Sequence, residues 1–507
     1  MKGIDRSIIF IMDDVRYDQF FKLLKEGFLP NIKKYVYDNS INSKCISIFP
    51  GITVPAQLAV QTGTYTDEFS VPGMHWWDRK DDIVRTYASL AGWELTQTLD
   101  KHIKTLYEQI DGNSLNLFCQ VYRGSTYNYP TVRGVILLYL WYFYIKRENI
   151  NRGQEFIMRK ILDAFNNPKK FFKNKEEPRV VLSWGFPTDD TMHNFGYDSE
   201  EYHRALKLLD IWFGHLIEGW NKYKGLKELG FLDETVFVFT SDHGNYKAKK
   251  VVDLVPFIEN IGLKPIPVNL NLRKGKDRGK GLGDFDLAIG SLGQWYFRSK
   301  IHGERPNLNE LKSFSEKDIN LIDQLMNIQD TQILYYREDE NTKDKGVIQI
   351  LRKKNSKIIE GAIEYNKDKV KLIQEDGDLF EYQKFDSASK LIDGKYHDIN
   401  EWLIGTHETD FPIICDQVAR LFRNPNSCDI LTSTLGNAVY NYEHGFTKND
   451  HLYSHDLSRA TKVPLVIGGS NFNATELEVT KISDLLPTIV KMLGGKIDKL
   501  VVGSPLV

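Results

Sequence analysis

Four short apolar runs along the chain have the pattern of strands in a parallel sheet. They occupy residues 7–12, 179–184, 235–240 and 463–468. Continuous runs of this length are typical of strands that are buried on both faces. Helical periodicity fills intervals between them, as in residues 199–223. This alternation predicts an α/β fold with a doubly wound, mostly parallel sheet and helices on both faces.

The chain between residues 246 and 437 has a different pattern. Strand-like stretches at 332–336 and 347–351 are separated by charged turns, and a basic, glycine-bearing loop occupies 273–283. That segment is either a solvated surface loop or a loop that binds an anionic substrate. Residues 429–434 then return to a sheet pattern. We predict a catalytic core formed by residues 1–245 and 438–507, interrupted by an inserted α+β cap, residues 246–437, that binds substrate.

Acidic residues and histidines follow three of the four apolar runs. Asp13 follows the first, Asp189 and His193 the second, and Asp242 with His243 the third. Ligand sites in parallel sheets lie outside the carboxyl ends of the strands. Carboxylate and imidazole groups together suit zinc, manganese or iron, and residues four apart on a helix share one face. Alternatively, these side chains cap helices or make hydrogen bonds within loops, and the residue after Asp13 could share its capping role.

A candidate nucleophile lies in the segment 48–63. Thr53 follows a Phe-Pro-Gly turn and precedes a helix that we expect to begin at Pro55. The free N–H groups and the positive dipole end of a helix N-terminus suit a phosphate group. Alternatively, Thr53 is a plain N-cap.

Five motifs occur in a recognisable order. They are Asp13 after a strand, Thr-x-Pro-Ala…Thr-Gly at 53–63, Asp-x-x-x-His at 189–193, Ser-Asp-His-Gly at 241–244, and a late histidine before Val-Pro-Leu at 463–465. This order resembles the alkaline phosphatase superfamily and, within it, the type I phosphodiesterase/nucleotide pyrophosphatase branch. The resemblance covers residues 7–80, 180–245 and 429–495. Ala56 stands where the eukaryotic enzymes have Asn, which resembles the microbial type and leaves the preference for monoesters or diesters open.

The resemblance implies a hydrolase of phosphate esters with two divalent metal ions, zinc in the first place and manganese or iron as alternatives. The implied ligands are Asp13, Asp242, His243 and Thr53 for one metal, and Asp189, His193 and one late histidine for the other. Thr53 would attack phosphorus and form a phosphothreonine.

The late histidine is a choice among three residues. We predict His451, because it lies twelve residues before Val463, whereas His444 lies nineteen and His455 eight residues before it.

The alternatives to a hydrolase are a phosphoryl or head-group transferase and a catalytically inactive binding protein. A sulfatase is disfavoured because residues 53–57, Thr-Val-Pro-Ala-Gln, lack the modifiable Cys or Ser and the Arg of that family. Cofactor-independent phosphoglycerate mutases use Ser as nucleophile and a different insertion point, which disfavours them too.

Composition and net charge indicate which classes of partner and which compartment to expect. With 41% hydrophobic and 26% charged residues, the composition is that of an ordinary globular protein. The formal net charge of −2 gives no reason to expect a nucleic-acid partner, so we expect no stable nucleic-acid complex. We expect a small phosphorylated substrate, a nucleotide or a phosphodiester. Four cysteines without a CxxC motif suit a reducing compartment, and no signal sequence is apparent, so we predict a cytoplasmic location.

One apolar run, residues 135–145, contains eleven residues. A membrane-spanning helix needs ~20. We therefore expect a buried helix or an oligomer interface there, and no membrane contact, with a membrane-surface anchor as the alternative.

Overall fold

A computed structural model describes residues 3–87, 94–130, 152–266, 281–355, 357–375, 377–442 and 452–507. The chain forms two compact units. The first consists of residues 1–65, 92–245 and 460–507, and the second of residues 66–91 and 246–459. The second unit thus also includes residues 66–91 and 438–459, which our sequence analysis assigns to the core. The roles of catalytic core and substrate cap stay a prediction.

The described strands, in chain order, are β1 (Arg6–Met12), β2 (Ser40–Ile46), β3 (His75–Asp78), β4 (Ile83–Thr86), β5 (Ser114–Leu117), β6 (Tyr127–Tyr129), β7 (Val180–Gly185), β8 (Gly219–Trp220), β9 (Tyr223–Lys224), β10 (Thr235–Ser241), β11 (Tyr246–Lys247), β12 (Lys250–Asp253), β13 (Phe285–Ile289), β14 (Leu292–Phe297), β15 (Ile333–Arg337), β16 (Lys345–Lys354), β17 (Lys357–Asn366), β18 (Lys369–Gln374), β19 (His397–Asp398), β20 (Ile430–Ser433), β21 (Ala438–Asn441), β22 (Tyr453–Ser454), β23 (Lys462–Gly468) and β24 (Thr475–Lys481).

The described α-helices are α1 (Tyr17–Lys25), α2 (Pro30–Tyr35), α3 (Thr53–Thr62), α4 (Thr66–Phe69), α5 (Leu95–Thr98), α6 (Arg152–Asn166), α7 (Pro187–Phe195), α8 (Glu200–Glu218), α9 (Val255–Ile261), α10 (Leu308–Lys312), α11 (Leu321–Met326), α12 (Asp386–Ser389), α13 (Ile399–Thr406), α14 (Ile414–Arg423) and α15 (Leu485–Met492).

An eight-stranded sheet forms the centre of the first unit, in the order β24-β2-β23-β10-β1-β7-β5-β6. Seven of its strands run in the same direction, which confirms the predicted α/β fold with a mostly parallel sheet. The exception is β23, which is antiparallel to β2 and β10. The expectation of a parallel strand at 463–468 is therefore wrong in direction. All seven residues of β10 are buried, as their continuous apolar pattern indicates.

The second unit contains an antiparallel eight-stranded sheet, in the order β13-β14-β20-β15-β16-β17-β18-β19. The strand-like stretch predicted at 332–336 overlaps β15 from Ile333 onwards, and the stretch predicted at 347–351 lies in β16. The segment 429–434 contributes β20 to this sheet, between β14 and β15. Buried and partly exposed residues alternate along β16, which indicates that one of its faces packs on a core. A hydrophobic core cluster of this unit includes Trp295, Phe297 and Tyr440, and the partly buried Leu351, on the opposite face of β16, packs against it.

Two segments singled out in the sequence, the apolar run 135–145 and residues 273–280 of the basic loop, lie outside the described residues. Among the residues that are described, no helix combines the length and apolarity that crossing a bilayer requires. The four cysteines, Cys45, Cys119, Cys415 and Cys428, are buried and free.

Candidate metal centre

The carboxyl ends of three adjacent strands assemble the candidate site within the first unit. β1 lies between β7 and β10, and Met12 pairs with Gly185 on one side and Ser241 on the other. The residues that follow these strands therefore lie at the same edge of the sheet. Asp13 continues β1, Asp242 continues β10, and α7 begins two residues after the end of β7.

A first cluster at this edge consists of Asp13, Asp242 and His243. Their possible metal-ligating atoms lie within 4.8 Å of one another. Nε2 of His243 lies 3.4 Å from Oδ1 of Asp13 and 3.8 Å from Oδ2 of Asp242. All three residues are buried, with at most 1% of their surface exposed. The structure thus brings together the three residues that the sequence analysis assigns to one metal.

The hydroxyl group of Thr53 lies beside this cluster. Its Oγ1 is 3.2 Å from Nε2 of His243. Thr53 is the first residue of α3, two positions earlier than the helix start expected at Pro55, and Ile52 before it has an extended backbone. The hydroxyl is therefore both at a helix N-terminus and next to an imidazole, a setting that favours a negatively charged group.

Hydrogen bonds hold one oxygen of each carboxylate in the first cluster. Trp184 donates its indole N–H to Oδ2 of Asp13 at 2.8 Å. The backbone N–H groups of Asp14 and His243 donate to Oδ1 of Asp242, at 3.2 and 3.0 Å. Oδ1 of Asp13 and Oδ2 of Asp242 are buried and have no hydrogen-bond partner among the described residues. Buried carboxylate oxygens without a donor are costly, and a bound cation would satisfy them, so the residues fit a metal ion.

A second cluster consists of Asp14, Asp189 and His193, whose candidate ligand atoms also lie within 4.8 Å of one another. Asp189 and His193 share one face of α7, with Nε2 of the histidine 3.2 Å from Oδ1 of the aspartate. The structure brings this predicted pair together. Asp14 is the member that sequence reasoning missed. Its only signal in the sequence was the Asp13-Asp14 doublet. Successive side chains of an extended chain normally point to opposite sides, so the doublet alone does not predict that both carboxylates reach one site.

Electrostatics couple the two clusters. Burial raises the pKa of Asp13 well above its ordinary value, and the nearby carboxylates Asp242 and Asp189 raise it further. Burial lowers the pKa of His243, but Asp242 and Asp14 outweigh this effect and raise it to about 9. Burial also lowers the pKa of His193, but the neighbouring carboxylate of Asp189 outweighs this effect and raises the pKa to about 9. The clusters therefore concentrate negative charge that protons neutralise when no cation is bound.

The predicted late histidine has no described position. His451 and its alternative His444 lie outside the described residues. His455 is described: it directly follows β22 in the second unit and is partly exposed. The choice among the three histidines stays a prediction.

Three comparisons relate the chain to known proteins. The family model described as "Type I phosphodiesterase / nucleotide pyrophosphatase" matches residues 7–384. An uncharacterized pyrophosphatase/phosphodiesterase of Schizosaccharomyces pombe is 23% identical over 260 residues, 47% of this chain and 44% of the yeast protein. The match thus spans less than half the length of that relative. The structure of murine ectonucleotide pyrophosphatase/phosphodiesterase 5 matches with a TM-score of 0.53 at 12% identity, over 97% of this chain and 96% of the murine chain, which shows a shared fold.

Proposed function

Because the chain belongs to the type I phosphodiesterase/nucleotide pyrophosphatase family, we propose that it hydrolyses phosphate esters through a covalent phosphothreonine at Thr53. The substrate class we propose is a small nucleotide or phosphodiester. The observation that carries the proposal is the 3.2 Å distance between the Thr53 hydroxyl and His243, at the N-terminus of a buried helix. A threonine that serves only as a helix cap would not need an imidazole partner that itself lies close to two carboxylates.

The donor set supports two cation sites. Asp13, Asp242 and His243 would hold one ion beside Thr53, and Asp189 and His193 would hold the other with a late histidine. Two divalent cations bound there, zinc in our proposal with manganese or iron as alternatives, would supply Lewis acidity that lowers the pKa of the threonine hydroxyl and offsets charge on the phosphoryl group. Trp184 and the backbone N–H groups around Asp242 orient the ligand oxygens.

The chemistry proceeds in two displacements. Oγ1 of Thr53 passes its proton to solvent water and attacks phosphorus, and the bond from phosphorus to the leaving oxygen breaks, with that oxygen taking up a proton from water. Backbone N–H groups at the start of α3 donate to the phosphoryl oxygens, a role that the side chain of Ala56 cannot take. Water then attacks the phosphothreonine, and the phosphorus–Oγ1 bond breaks. The products are the leaving alcohol or phosphate and the phosphate or phosphate monoester released from Thr53, whose hydroxyl regains a proton from the attacking water.

A substrate panel tests the proposal. The protein, loaded with zinc or manganese, is assayed on p-nitrophenyl phosphate, a p-nitrophenyl diester, dinucleotides and phospholipid head-group esters. We expect cleavage of at least one class and no cleavage by Thr53→Ala. A requirement for an acceptor other than water would indicate a transferase instead. A protein that binds no cation and cleaves nothing in the panel would contradict the proposal and favour a binding protein.

A further inference from the structure

We propose that Asp14 is a metal ligand, which adds a second carboxylate to the cation site of Asp189 and His193. This inference rests on the proposed two-cation centre and deepens it. One carboxylate oxygen of Asp14 lies within 4.8 Å of ligand atoms of both Asp189 and His193. Asp14 has no exposed surface. A carboxylate in that position must interact with a cation or a donor, because burying an unpaired charge is costly.

The backbone explains how two consecutive aspartates reach one site. Asp14 has a φ of 58°, in the left-handed region that disfavours residues other than glycine, asparagine and aspartate. This conformation ends the alternation of β1, so the carboxylates of Asp13 and Asp14 both lie near His243. The hydroxyl of Tyr202 donates to the Asp14 carbonyl oxygen at 2.9 Å and helps to hold the turn. A residue other than glycine in this sparsely populated conformation, at a buried charged position, is typical of functional sites.

The two oxygens of the Asp14 carboxylate have different surroundings. The side-chain amide of Asn245 donates to Oδ1 at 2.8 Å. Oδ2 is buried and has no hydrogen-bond partner in the described part of the chain. One oxygen is therefore anchored by the protein and the other is left for a ligand, as in Asp13 and Asp242 of the first cluster. This repeated arrangement is what a monodentate carboxylate ligand with an outer hydrogen bond requires.

Charge balance supports the same assignment. The two clusters contain four carboxylates, Asp13, Asp14, Asp189 and Asp242, and two imidazoles. With neutral imidazoles the four negative charges equal the charge of two divalent cations. Without Asp14, the cations would exceed the carboxylates by one charge as long as Thr53 keeps its proton.

The competing role for Asp14 is to position His243. Oδ1 of Asp14 lies 3.8 Å from Nδ1 of His243, which is longer than a hydrogen bond. Nδ1 has a closer contact with the Gly244 carbonyl oxygen at 3.3 Å. The geometry therefore favours ligation over positioning, and the two roles predict the loss of different cations.

The experiment counts bound cations in variants of the full-length protein. Asp14→Asn keeps the shape and an oxygen for Asn245, and Asp14→Gly removes the side chain while relieving the left-handed backbone. Asp190→Asn, next to Asp189 and outside both clusters, is the matched control. Zinc and manganese content after dialysis and affinity by titration calorimetry are measured. We expect wild type and Asp190→Asn to bind two cations, and both Asp14 variants to bind the second at least about tenfold more weakly.

A double variant identifies which site is affected. If Asp14 serves the site of His193, then Asp14→Asn added to His193→Ala still leaves one tightly bound cation. If Asp14 positions His243, the double variant loses both cations, which would overturn the proposal. Unchanged binding of both cations in Asp14→Asn would also overturn it, while leaving the proposed function intact. A wild-type protein that binds fewer than two cations would instead refute the two-cation centre itself. If Asp14→Gly melts at or above the wild-type temperature in the presence of chelator, its loss of metal binding does not result from unfolding.

Discussion

Oγ1 of Thr53 lies 3.2 Å from Nε2 of His243, although 190 residues separate the two in the chain. The contact joins the N-terminus of α3 to the carboxyl end of β10. It places a hydroxyl group against an imidazole whose neighbours include the carboxylates Asp13 and Asp242.

Thr53→Ala is expected to reduce turnover by at least about 10³-fold, because it removes the attacking oxygen while the carboxylates and imidazoles remain. Metal content should stay close to wild type. Thr53→Ser is the matched control and should retain measurable activity and form a phosphoserine. Acid quenching during turnover followed by mass spectrometry should detect phosphate on residue 53 in wild type. Undiminished turnover of Thr53→Ala would refute the nucleophile.

The metal-free protein is expected to lose stability as pH rises from 6.5 to 9. The pKa values of His193 and His243 are raised to about 9 in the folded state, and that of Asp13 is also raised. The folded state then binds more protons than the unfolded state, so the stability contributed by the two histidines is fully present below pH 6.5 and is lost as the pH rises through about 9.

Bound cations replace those protons, so the gain in melting temperature on adding metal should be larger at pH 9 than at pH 6.5. Thermal melts in chelator and in chelator-buffered zinc at both values measure this difference. A melting temperature that rises with pH in chelator would contradict the assignment.

Trp184→Phe is expected to weaken cation binding about 10–100-fold, because it removes the 2.8 Å hydrogen bond to Oδ2 of Asp13 and keeps an aromatic ring. Competition with a fluorescent chelator measures the affinity. Trp212→Phe, in α8 of the same unit, is the matched control and should bind as wild type does. Equal affinities in the two variants would show that the hydrogen bond does not orient the ligand.

One of the three late histidines is expected to complete the second site. His451→Ala should lower the bound metal by one cation per chain, whereas His444→Ala and His455→Ala should keep two. Elemental analysis of the three purified variants decides among them. If His455→Ala or His444→Ala loses the cation instead, the spacing argument from Val463 fails and the ligand is reassigned.

The sequence predicts those parts of the site that depend on local periodicity. Apolar runs that end in Asp13 and Asp242 indicate parallel strands, and the structure confirms their common edge. The direction of β23 could not be predicted, because an apolar run has the same composition in either orientation. Asp14 was missed because its position depends on a left-handed φ, which the sequence alone does not specify. The membership of residues 66–91 in the second unit depends on distant contacts, as between Asp67 and Arg420.

The order of strands in the first sheet has a consequence for how the enzyme is synthesised. The strand neighbours of β2 are β23 and β24, both from the last fifty residues of the chain. On the ribosome, β2 is therefore made early and has no strand partner until residues 462–481 have been made. Thr53 follows β2, whereas Asp13 and Asp242 follow strands that can pair much sooner. We therefore expect Thr53 to join Asp13 and Asp242 only after residues 462–481 have been made, so that a shorter nascent chain does not yet have the candidate site.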